Sequence, residues 1–365
     1  YTNCTAAVLR AKDCVMKTAT NIQENAEDIY AEAKNINEER AAEMEEFSDA
    51  DTAAEAAAAL NIPKTAVLVA STGVIGKQLP IDKIKSGVTA LSKVLGSSRE
   101  DAKLAAEAIM TTDTKSKEVA CTLELDGKQV TVAGMCKGSG MIHPNMCTML
   151  CFVTTDVAIS HELLQKALSE DVVDTFNMIS VDGDTSTNDT LAIMASGKAG
   201  NKEITTKNED YKTFVAGLTE AFKSLAKQLA KDGEGATKLL ICDVSGAKTK
   251  KDAVGVAKTV IGSSLVKTAM FGADANWGRV LCAIGYSGMD VDISKVKVTF
   301  KSEGGEVLVC EDGAGVGFDE DEAKKVLSCD TVIINIELND GEGFAEAYGC
   351  DLTYDYVKIN GDYRT

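Results

Sequence analysis

The clearest alternation of apolar and polar positions along the chain flanks the pair Asp126-Gly127. Glu118–Leu125 and Lys128–Ala133 alternate on its two sides, and Asp-Gly between two alternating segments is a strong signal for a β-hairpin. Segments rich in apolar residues, which are typical of buried strands, occur at Ala66–Ala70 and Thr148–Thr155. Further strands are predicted at Lys238–Val244, Lys295–Phe300, Glu306–Val309, Thr331–Glu337 and Phe344–Cys350.

Helices are indicated by runs of strong helix formers and by capping residues. Asn21–Leu60 is dense in Ala, Glu and Lys and predicts two acidic helices. Pro80 opens a helix to about Leu95, and Ser98 caps another to Met110. Further helices are predicted at His161–Val173, Asp189–Ser196, Tyr211–Lys231, Asp252–Ile261 and Asp319–Leu327, and one from Trp277. Because hairpins and helices are interleaved, we predict a layered α/β fold with mixed sheets, not a doubly wound parallel sheet.

The composition is that of a globular protein, with 45% hydrophobic and 26% charged residues. A length of 365 residues exceeds the size at which single cores usually stop growing, so we expect two domains. The formal net charge of −18 argues against nucleic acid and against an anionic membrane as partners. No apolar run reaches the roughly 18 residues of a membrane helix, and Tyr1–Arg10 does not resemble a signal peptide. We therefore expect a cytoplasmic protein.

Cysteine and histidine usage limits the chemistry that the chain can support. The 11 cysteines contain no CxxC pair, and Cys147 and Cys151 lack a second pair at zinc-like spacing. We interpret them as free thiols in a reducing compartment. His143 and His161 are the only histidines, which leaves little material for a histidine-based triad or a multi-histidine metal site. We therefore predict no metal site.

Three segments have unusual compositions, and each has a structural alternative. Val69–Gly76 joins an apolar run to a glycine turn whose N–H groups can bind an anion, but a plain tight turn has the same pattern. Ser180–Thr190 holds three Asp and five hydroxyl residues but no Glu at the twelfth position of a calcium loop, so we interpret it as a turn before a helix cap. In Asp274–Arg279, an Arg beside Gly and Trp can bind a carboxylate or form a structural ion pair.

A fourth segment, Lys137–Leu150 (KGSGMIHPNMCTML), leads from two glycines into an apolar run. Thr148 stands at the junction, where cleavage of the preceding bond would make it an N-terminal nucleophile. A free α-amine, with a pKa of about 7.7–8.0, can take the hydroxyl proton without histidine. A glycine loop entering a core strand is the alternative that the pattern alone leaves open.

Taken together and in this order, the four segments resemble the ornithine acetyltransferase family, also called the bifunctional glutamate N-acetyltransferase family of arginine biosynthesis. The resemblance runs from about Ile62 to Thr365. Four more motifs carry it: Ala108–Thr114 (AIMTTDT), Asp232–Thr237 (DGEGAT), Ser264–Ala269 (SLVKTA) and Asp351–Thr365 (DLTYDYVKINGDYRT).

The resemblance implies an acyltransferase that cleaves itself between Cys147 and Thr148, leaving two fragments that stay associated. Thr148 would take the acetyl group of N2-acetylornithine and pass it to glutamate through an acetyl-enzyme, with ping-pong kinetics. Thr72 and Gly73 match the family's oxyanion hole. The implied substrate-binding residues are Thr111, Lys137, Thr148, Glu234, Asn360 and Thr365. Lys137 suits the α-carboxylate of both substrates, and Glu234 suits the side-chain ammonium of ornithine.

The resemblance also implies the architecture and the partners. We expect an αββα core over residues 1–245, divided into an alpha chain of residues 1–147 and a beta chain from 148. A smaller α/β domain follows over residues 246–350, and a tail of residues 351–365 returns to the active site. Two alpha and two beta chains form the assembly, no cofactor is required, and the use of acetyl-CoA as a second acetyl donor is left open. Thr2–Thr5 matches the end of a family turn, so we expect the family's preceding strands to be absent.

Two other functions compete with acetyl transfer to glutamate. A self-processing amidase or aminopeptidase would use the same Thr148 but pass the acyl group to water. A non-catalytic binding protein would be an unprocessed relative with an altered N-terminal region. Dependence of ornithine release on glutamate separates the first alternative from acetyl transfer, and cleavage before Thr148 argues against the second.

Overall fold

The structure is a computed structural model that describes residues 47–75, 77–143 and 149–362. The chain divides into two compact units, of which the first extends to Met110 and the second covers Thr111–Arg364. The domain boundary after residue 245 that the sequence predicts falls inside a strand of the second unit, Leu239–Ala247. That three-part division stays a prediction.

The described part of the first unit is helical, with helices α1 (Phe47–Leu60), α2 (Ile81–Leu91) and α3 (Arg99–Ala108). Helices α1 and α2 pack through a small apolar cluster of Ala56, Ile84 and Val88. Ser98 and Asp101 form a capping box at the start of α3, which confirms the predicted cap. Helix α1 is the second of the two predicted acidic helices, and the first lies outside the described residues.

The strand predicted at Ala66–Ala70 is wrong. A 3-10 turn occupies Lys64–Ala66, and the residues that follow pair with no strand among the described residues. Leu68 is 63% exposed, whereas Ala70 is buried. An apolar run becomes a strand only where a neighbouring strand can pair with its backbone N–H and C=O groups, and the described residues provide none here.

A four-stranded sheet begins the second unit. Its strand order is β1-β2-β3-β5, in which β1, β2 and β3 pair antiparallel and β5 pairs parallel to β3. The predicted hairpin is confirmed, since Asp126 and Gly127 both have positive φ, as a tight two-residue turn requires. The strands are β1 (Lys117–Leu125), β2 (Lys128–Lys137), β3 (Leu150–Thr155) and β5 (Thr190–Ala195).

A seven-stranded mixed sheet forms the rest of the second unit, with the strand order β4-β11-β6-β10-β7-β8-β9. Its central strands β6 and β10 are parallel, and β11 and β7 pair antiparallel to them. The strands are β4 (Ile179–Ser180), β6 (Leu239–Ala247), β7 (Lys297–Ser302), β8 (Gly305–Glu311), β9 (Ala314–Gly315), β10 (Thr331–Glu337) and β11 (Gly343–Cys350). The helices are α4 (His161–Asp171), α5 (Glu209–Lys231), α6 (Lys250–Gly262), α7 (Ser264–Phe271), α8 (Trp277–Gly285), α9 (Glu320–Leu327) and α10 (Tyr354–Asp362).

The long helix α5 packs against strands of both sheets. It contacts β1 and β2 of the smaller sheet, and its Lys227 forms an ion pair with Glu346 on β11 of the larger one. Helix α6 packs on the opposite face of β11, where a Cβ on Gly349 would meet Ile261. The prediction of a mixed α/β fold with two mixed sheets is confirmed.

The helix predicted at Asp189–Ser196 is wrong, because Thr190–Ala195 is strand β5. Pairing with the buried strand β3 along its whole length outweighs the local pattern, as is common for short apolar segments. Two helices were not predicted. Helix α7 contains the whole SLVKTA motif, and α10 occupies most of the predicted tail. Among the described residues no single helix can span a membrane; α6 and α7 have the length and composition only as a pair bent by 56°.

Candidate active site

Lys137 ends strand β2, opposite Leu150 at the start of β3, and its side chain is buried. The glycine loop that follows, Gly138–Gly140, is anchored by Asp113. The Gly138 N–H donates a hydrogen bond to Asp113 Oδ1 over 2.7 Å. Gly138 has a φ of +151°, and a Cβ there would lie 2.8 Å from Ile142 Cδ1. Glycine is therefore required where the chain leaves the strand, and this turn fixes the base of Lys137.

Glu234 lies in the Gly233–Gly235 turn between α5 and β6, and it packs directly against the glycine loop. Its N–H donates to the Ser139 carbonyl over 3.0 Å. A Cβ on Gly140 would lie 2.4 Å from the Glu234 carboxylate oxygens, so any side chain at Gly140 would displace that carboxylate. The two glycine-rich motifs, KGSG (Lys137–Gly140) and GEG (Gly233–Gly235), thus contact each other around the buried carboxylate of Glu234.

Asn360 on helix α10 completes this group. Its Nδ2 donates a hydrogen bond to Glu234 Oε2 over 2.8 Å. The helix is held against the turn by Thr353, whose Oγ1 donates to the Gly235 carbonyl over 2.6 Å. Gly235 has a φ of +69°, and a Cβ there would lie 2.4 Å from the Tyr356 nitrogen. Three of the predicted substrate-binding residues, Lys137, Glu234 and Asn360, are therefore brought together.

A buried charge network beneath the glycine loop connects it to Thr111. Lys117 Nζ lies 2.6 Å from Asp113 Oδ1 and 2.6 Å from Asp232 Oδ2, and all three side chains are at most 3% exposed. Asp113 also accepts the Thr111 N–H over 3.0 Å. The Asp232 carboxylate accepts hydrogen bonds from the backbone N–H and the hydroxyl of Thr114. The Thr111 backbone and the glycine loop therefore share a single anchor, Asp113.

The burial of Lys137 affects its protonation. Desolvation lowers the pKa of its ammonium group, and the nearby carboxylates of Asp113, Asp189 and Glu234 offset part of that shift. Burial of Asp189 acts in the opposite direction and raises its pKa to about 8. Charges inside a protein interact more strongly than in water, so the buried charges of this group influence one another strongly.

The segment Ser180–Thr190 binds the end of the glycine loop and does not cap a helix. The Asp182 carboxylate accepts the N–H groups of Met141 and Ile142 over 2.6 and 2.9 Å, which fixes the far end of the glycine loop. The ring of His143 lies with its Nδ1 3.0 Å from Ser180 Oγ, and burial lowers the pKa of this histidine. The hydrogen-bonded turn was predicted correctly, but the helix that should follow it is β5.

The other predicted site residues are distributed as follows. Thr72 is half-buried and Gly73 is exposed, in the segment of the first unit that follows the 3-10 turn. Cys147, Thr148 and Thr365 lie outside the described residues. The oxyanion, nucleophile and cleavage roles therefore stay predictions, as do the substrate-binding roles of the residues that the structure describes.

Sequence reasoning missed the residues that hold this site in place, namely Asp113, Lys117, Asp182 and Asp232. Asp113 and Asp232 lie inside the AIMTTDT and DGEGAT motifs, which was the available signal. The sequence also left open whether Arg279 binds a carboxylate or forms a structural ion pair. Arg279 Nη1 instead donates to the Leu265 carbonyl and the Thr268 hydroxyl, joining α7 to α8.

The structure also shows one cavity that no predicted site residue lines. A cavity of about 460 Å³ opens beside the Gly233–Gly235 turn, lined by Lys115, Lys231 and Lys358 among others, but by neither Lys137 nor Glu234. No group of three or more His, Cys, Asp or Glu among the described residues has the geometry to hold a metal ion.

The chain is similar to a group of curated proteins over most of its length. A family model described as "ArgJ family" matches residues 3–365. The arginine biosynthesis bifunctional protein ArgJ 1 of Clostridium acetobutylicum is 53% identical over 306 residues, which are 84% of this chain and 74% of that protein. The ArgJ proteins of Caldanaerobacter subterraneus and Thermotoga neapolitana are 51% and 49% identical over 306 residues, 84% of this chain and 75% and 76% of theirs.

A solved structure supports the same comparison. The crystal structure of the arginine biosynthesis bifunctional protein ArgJ from Bacillus halodurans matches with a TM-score of 0.56 and 49% sequence identity. The match covers 58% of this chain and 98% of that one.

Proposed function

The chain belongs to the ArgJ family, and from this premise we propose that it transfers the acetyl group of N2-acetylornithine to glutamate through an acetyl-Thr148 intermediate. Membership confirms the resemblance that the motifs indicated, and with it an acyltransferase of arginine biosynthesis. Cleavage between Cys147 and Thr148 precedes activity in this proposal, and Thr72 and Gly73 stabilise the oxyanion.

The observation that carries the proposal is the grouping of Lys137, Glu234 and Asn360 around one buried surface. An ammonium and a carboxylate held at fixed positions match a substrate that carries both charges. Lys137 pairs with the α-carboxylate that ornithine and glutamate derivatives share. Glu234, held in place by Asn360, pairs with the side-chain ammonium of ornithine, and burial strengthens both contacts.

The chemistry follows from these positions. The α-amine of Thr148 takes the proton of the Thr148 hydroxyl, whose oxygen attacks the acetyl carbonyl. Thr72 and Gly73 donate to the oxyanion, and the proton passes to the ornithine nitrogen as the amide bond breaks. The α-amine of glutamate then attacks the acetyl-Thr148 ester, and its surplus proton returns to the Thr148 hydroxyl through the same amine. No histidine and no metal takes part in either half of this cycle.

Replacing the nucleophile tests the proposal. Thr148→Ala removes the attacking oxygen, so the purified variant should remain one chain by denaturing mass spectrometry and transfer no acetyl. Thr154→Ala is the matched control, because Thr154 is an exposed residue of β3 whose hydroxyl donates only a long bond to the Ala133 carbonyl. That variant should be cleaved and active like the wild type. Retained transfer in Thr148→Ala would contradict the proposed nucleophile.

The acceptor distinguishes the competing functions. With N2-acetylornithine alone, a transferase releases at most one ornithine per active site, and glutamate restores turnover. An amidase releases ornithine continuously without glutamate. A binding protein releases none and keeps its full-length mass. The proposal requires the first of these three outcomes.

The assembly, the location and the second donor belong to the same proposal. We propose two alpha and two beta chains, with no nucleic acid and no membrane as partner. The eight cysteines that the structure describes form no disulfide, which suits a reducing cytoplasm. No cofactor is needed for the cycle above. Acetyl-CoA is proposed only as an optional second acetyl donor, to be tested by replacing N2-acetylornithine in the same assay.

A further inference from the structure

Helix α10 presents three faces to three different surroundings. Tyr354 and Val357, three positions apart, are 83% and 68% exposed to solvent. The residues of the helix that line the cavity of about 460 Å³ recur at helical spacing, at Asp355, Lys358, Ile359 and Asp362. Residues three or four positions apart share a face of a helix. Tyr356 and Asn360 therefore form a third face, which is turned to the Gly233–Gly235 turn, because Asn360 Nδ2 donates to Glu234 Oε2.

The backbone of Tyr356 is fixed against the turn that carries Glu234. A Cβ on Gly235 would lie 2.4 Å from the Tyr356 nitrogen, so the two chain segments are in contact. The Tyr356 N–H donates to Thr353 Oγ1 over 3.3 Å, and that hydroxyl donates to the Gly235 carbonyl. The Tyr356 carbonyl accepts a hydrogen bond from Asn360 Nδ2 over 3.1 Å. Tyr356 therefore lies between the two residues that hold the helix to the turn.

The side chain of Tyr356 lies in negatively charged surroundings. It is half-buried, and burial raises the pKa of its phenol to about 12. The carboxylates of Asp182, Asp184 and Glu234 act in the same direction. Asp182 binds the far end of the glycine loop, and Glu234 packs against Gly140 in that loop. The phenol therefore lies on the side of the glycine loop, away from the cavity.

A phenol in such surroundings suits a cation. It is neutral at neutral pH, its oxygen can accept a hydrogen bond from an ammonium group, and the nearby carboxylates attract the same positive charge. N2-acetylornithine carries an ammonium group at the end of its side chain, whereas glutamate carries a carboxylate there. The surroundings of Tyr356 therefore distinguish the acetyl donor from the acceptor by the sign of the side-chain charge.

We propose that Tyr356 is a specificity-determining residue whose hydroxyl oxygen accepts a hydrogen bond from the side-chain ammonium of N2-acetylornithine. This inference rests on the proposed function, in which that ammonium pairs with Glu234. Tyr356 and Glu234 then bind the same ammonium, and Asn360 holds both residues in place. The side-chain carboxylate of glutamate is repelled from this position, so glutamate binds without the phenol.

The two halves of a ping-pong cycle separate this role from a general effect on the site. The kcat/KM for N2-acetylornithine reports the first half, and the kcat/KM for glutamate reports the second. Tyr356→Phe removes the hydroxyl and keeps the ring, so the packing of the helix is preserved. Loss of a hydrogen bond to a charged group should lower kcat/KM for N2-acetylornithine by about tenfold or more. The kcat/KM for glutamate should keep its wild-type value.

Tyr354→Phe is the matched control, because it makes the same change on the solvent-exposed face of the same helix. The ring of Tyr354 makes an edge-on contact with Phe271, which the substitution preserves. This variant should keep the wild-type kcat/KM for both substrates. The test measures both full-length variants and the wild type by steady-state kinetics with each substrate varied in turn. Thermal denaturation of the same samples checks that the fold is intact.

The outcomes separate this inference from the proposed function. A wild type that transfers no acetyl from N2-acetylornithine to glutamate contradicts the proposed function itself. An active wild type, with a Tyr356→Phe variant whose kcat/KM for N2-acetylornithine is unchanged, overturns the role of Tyr356 alone. An equal fall for both substrates also overturns that role, since the hydroxyl would then support the site as a whole. The same selective loss in Tyr354→Phe would overturn it as well, because the effect would not depend on the face that carries Tyr356.

Discussion

At the scale of single residues, the site depends on charges that have been removed from water. Lys137 and Glu234 are buried with opposite charges, and each is fixed through its backbone by a neighbouring loop contact. The resemblance to the family pointed to both residues, Lys137 in the KGSG motif and Glu234 in the GEG motif. The motifs did not identify the support, since Lys117 and Asp232 are 115 positions apart and their pairing leaves no local pattern.

Lys117 should be the most sensitive structural residue of this group. Lys117→Ala leaves the buried carboxylates of Asp113 and Asp232 without their shared cation, so the free energy of unfolding should fall by about 3–5 kcal/mol. Lys212→Ala is the control, because the Lys212–Glu209 pair is 65% and 87% exposed, and such pairs contribute about 0.2–1 kcal/mol.

Urea denaturation of both variants at neutral pH measures this difference. A loss for Lys117→Ala no larger than that for Lys212→Ala would show that the buried network does not stabilise the fold.

At the scale of elements, glycine turns determine where the functional side chains lie. The hairpin at Asp126-Gly127 and the Ser98 cap were predictable because their signals are local. Strand β5 was predicted as a helix because its pairing partner β3 is distant in sequence and periodicity cannot identify a short buried strand. The contact between the KGSG and GEG turns was also unpredictable, since it depends on how two distant loops meet.

Gly140→Ala tests that contact. A Cβ 2.4 Å from the Glu234 carboxylate forces the carboxylate out of position. Loss of one charged hydrogen bond to ornithine corresponds to about 1.5–3 kcal/mol, so KM for N2-acetylornithine should rise by about tenfold or more. Gly285→Ala is the matched control, because no atom of the described residues outside its own helix backbone lies within 4 Å of a Cβ there.

Steady-state kinetics with varied N2-acetylornithine and saturating glutamate gives the KM for N2-acetylornithine of each variant. An unchanged KM in Gly140→Ala, with the variant folded, would contradict the assignment of Glu234 to the substrate ammonium.

At the scale of the whole molecule, two mixed sheets share helix α5, and the strands that surround the candidate site come from both sides of the Cys147–Thr148 bond. Strand β2, which ends in Lys137, precedes that bond, and β3 follows it as its direct pairing partner. Cleavage there would leave the two fragments joined by the β2–β3 ladder. The mixed α/β class was predictable from interleaved hairpins and helices, whereas the contact of α5 with strands of both sheets was not, because those strands are far apart in the sequence.

The central claim is that the chain becomes a transferase by freeing Thr148 and then carries acetyl on it. Denaturing mass spectrometry of the purified protein, before and after incubation with N2-acetylornithine in the absence of glutamate, tests this claim most directly. The account predicts two fragments that meet between Cys147 and Thr148, with the C-terminal fragment heavier by one acetyl group after incubation and restored by glutamate. A single full-length mass in a preparation that transfers acetyl, or an acetyl group on any residue other than Thr148, would contradict it.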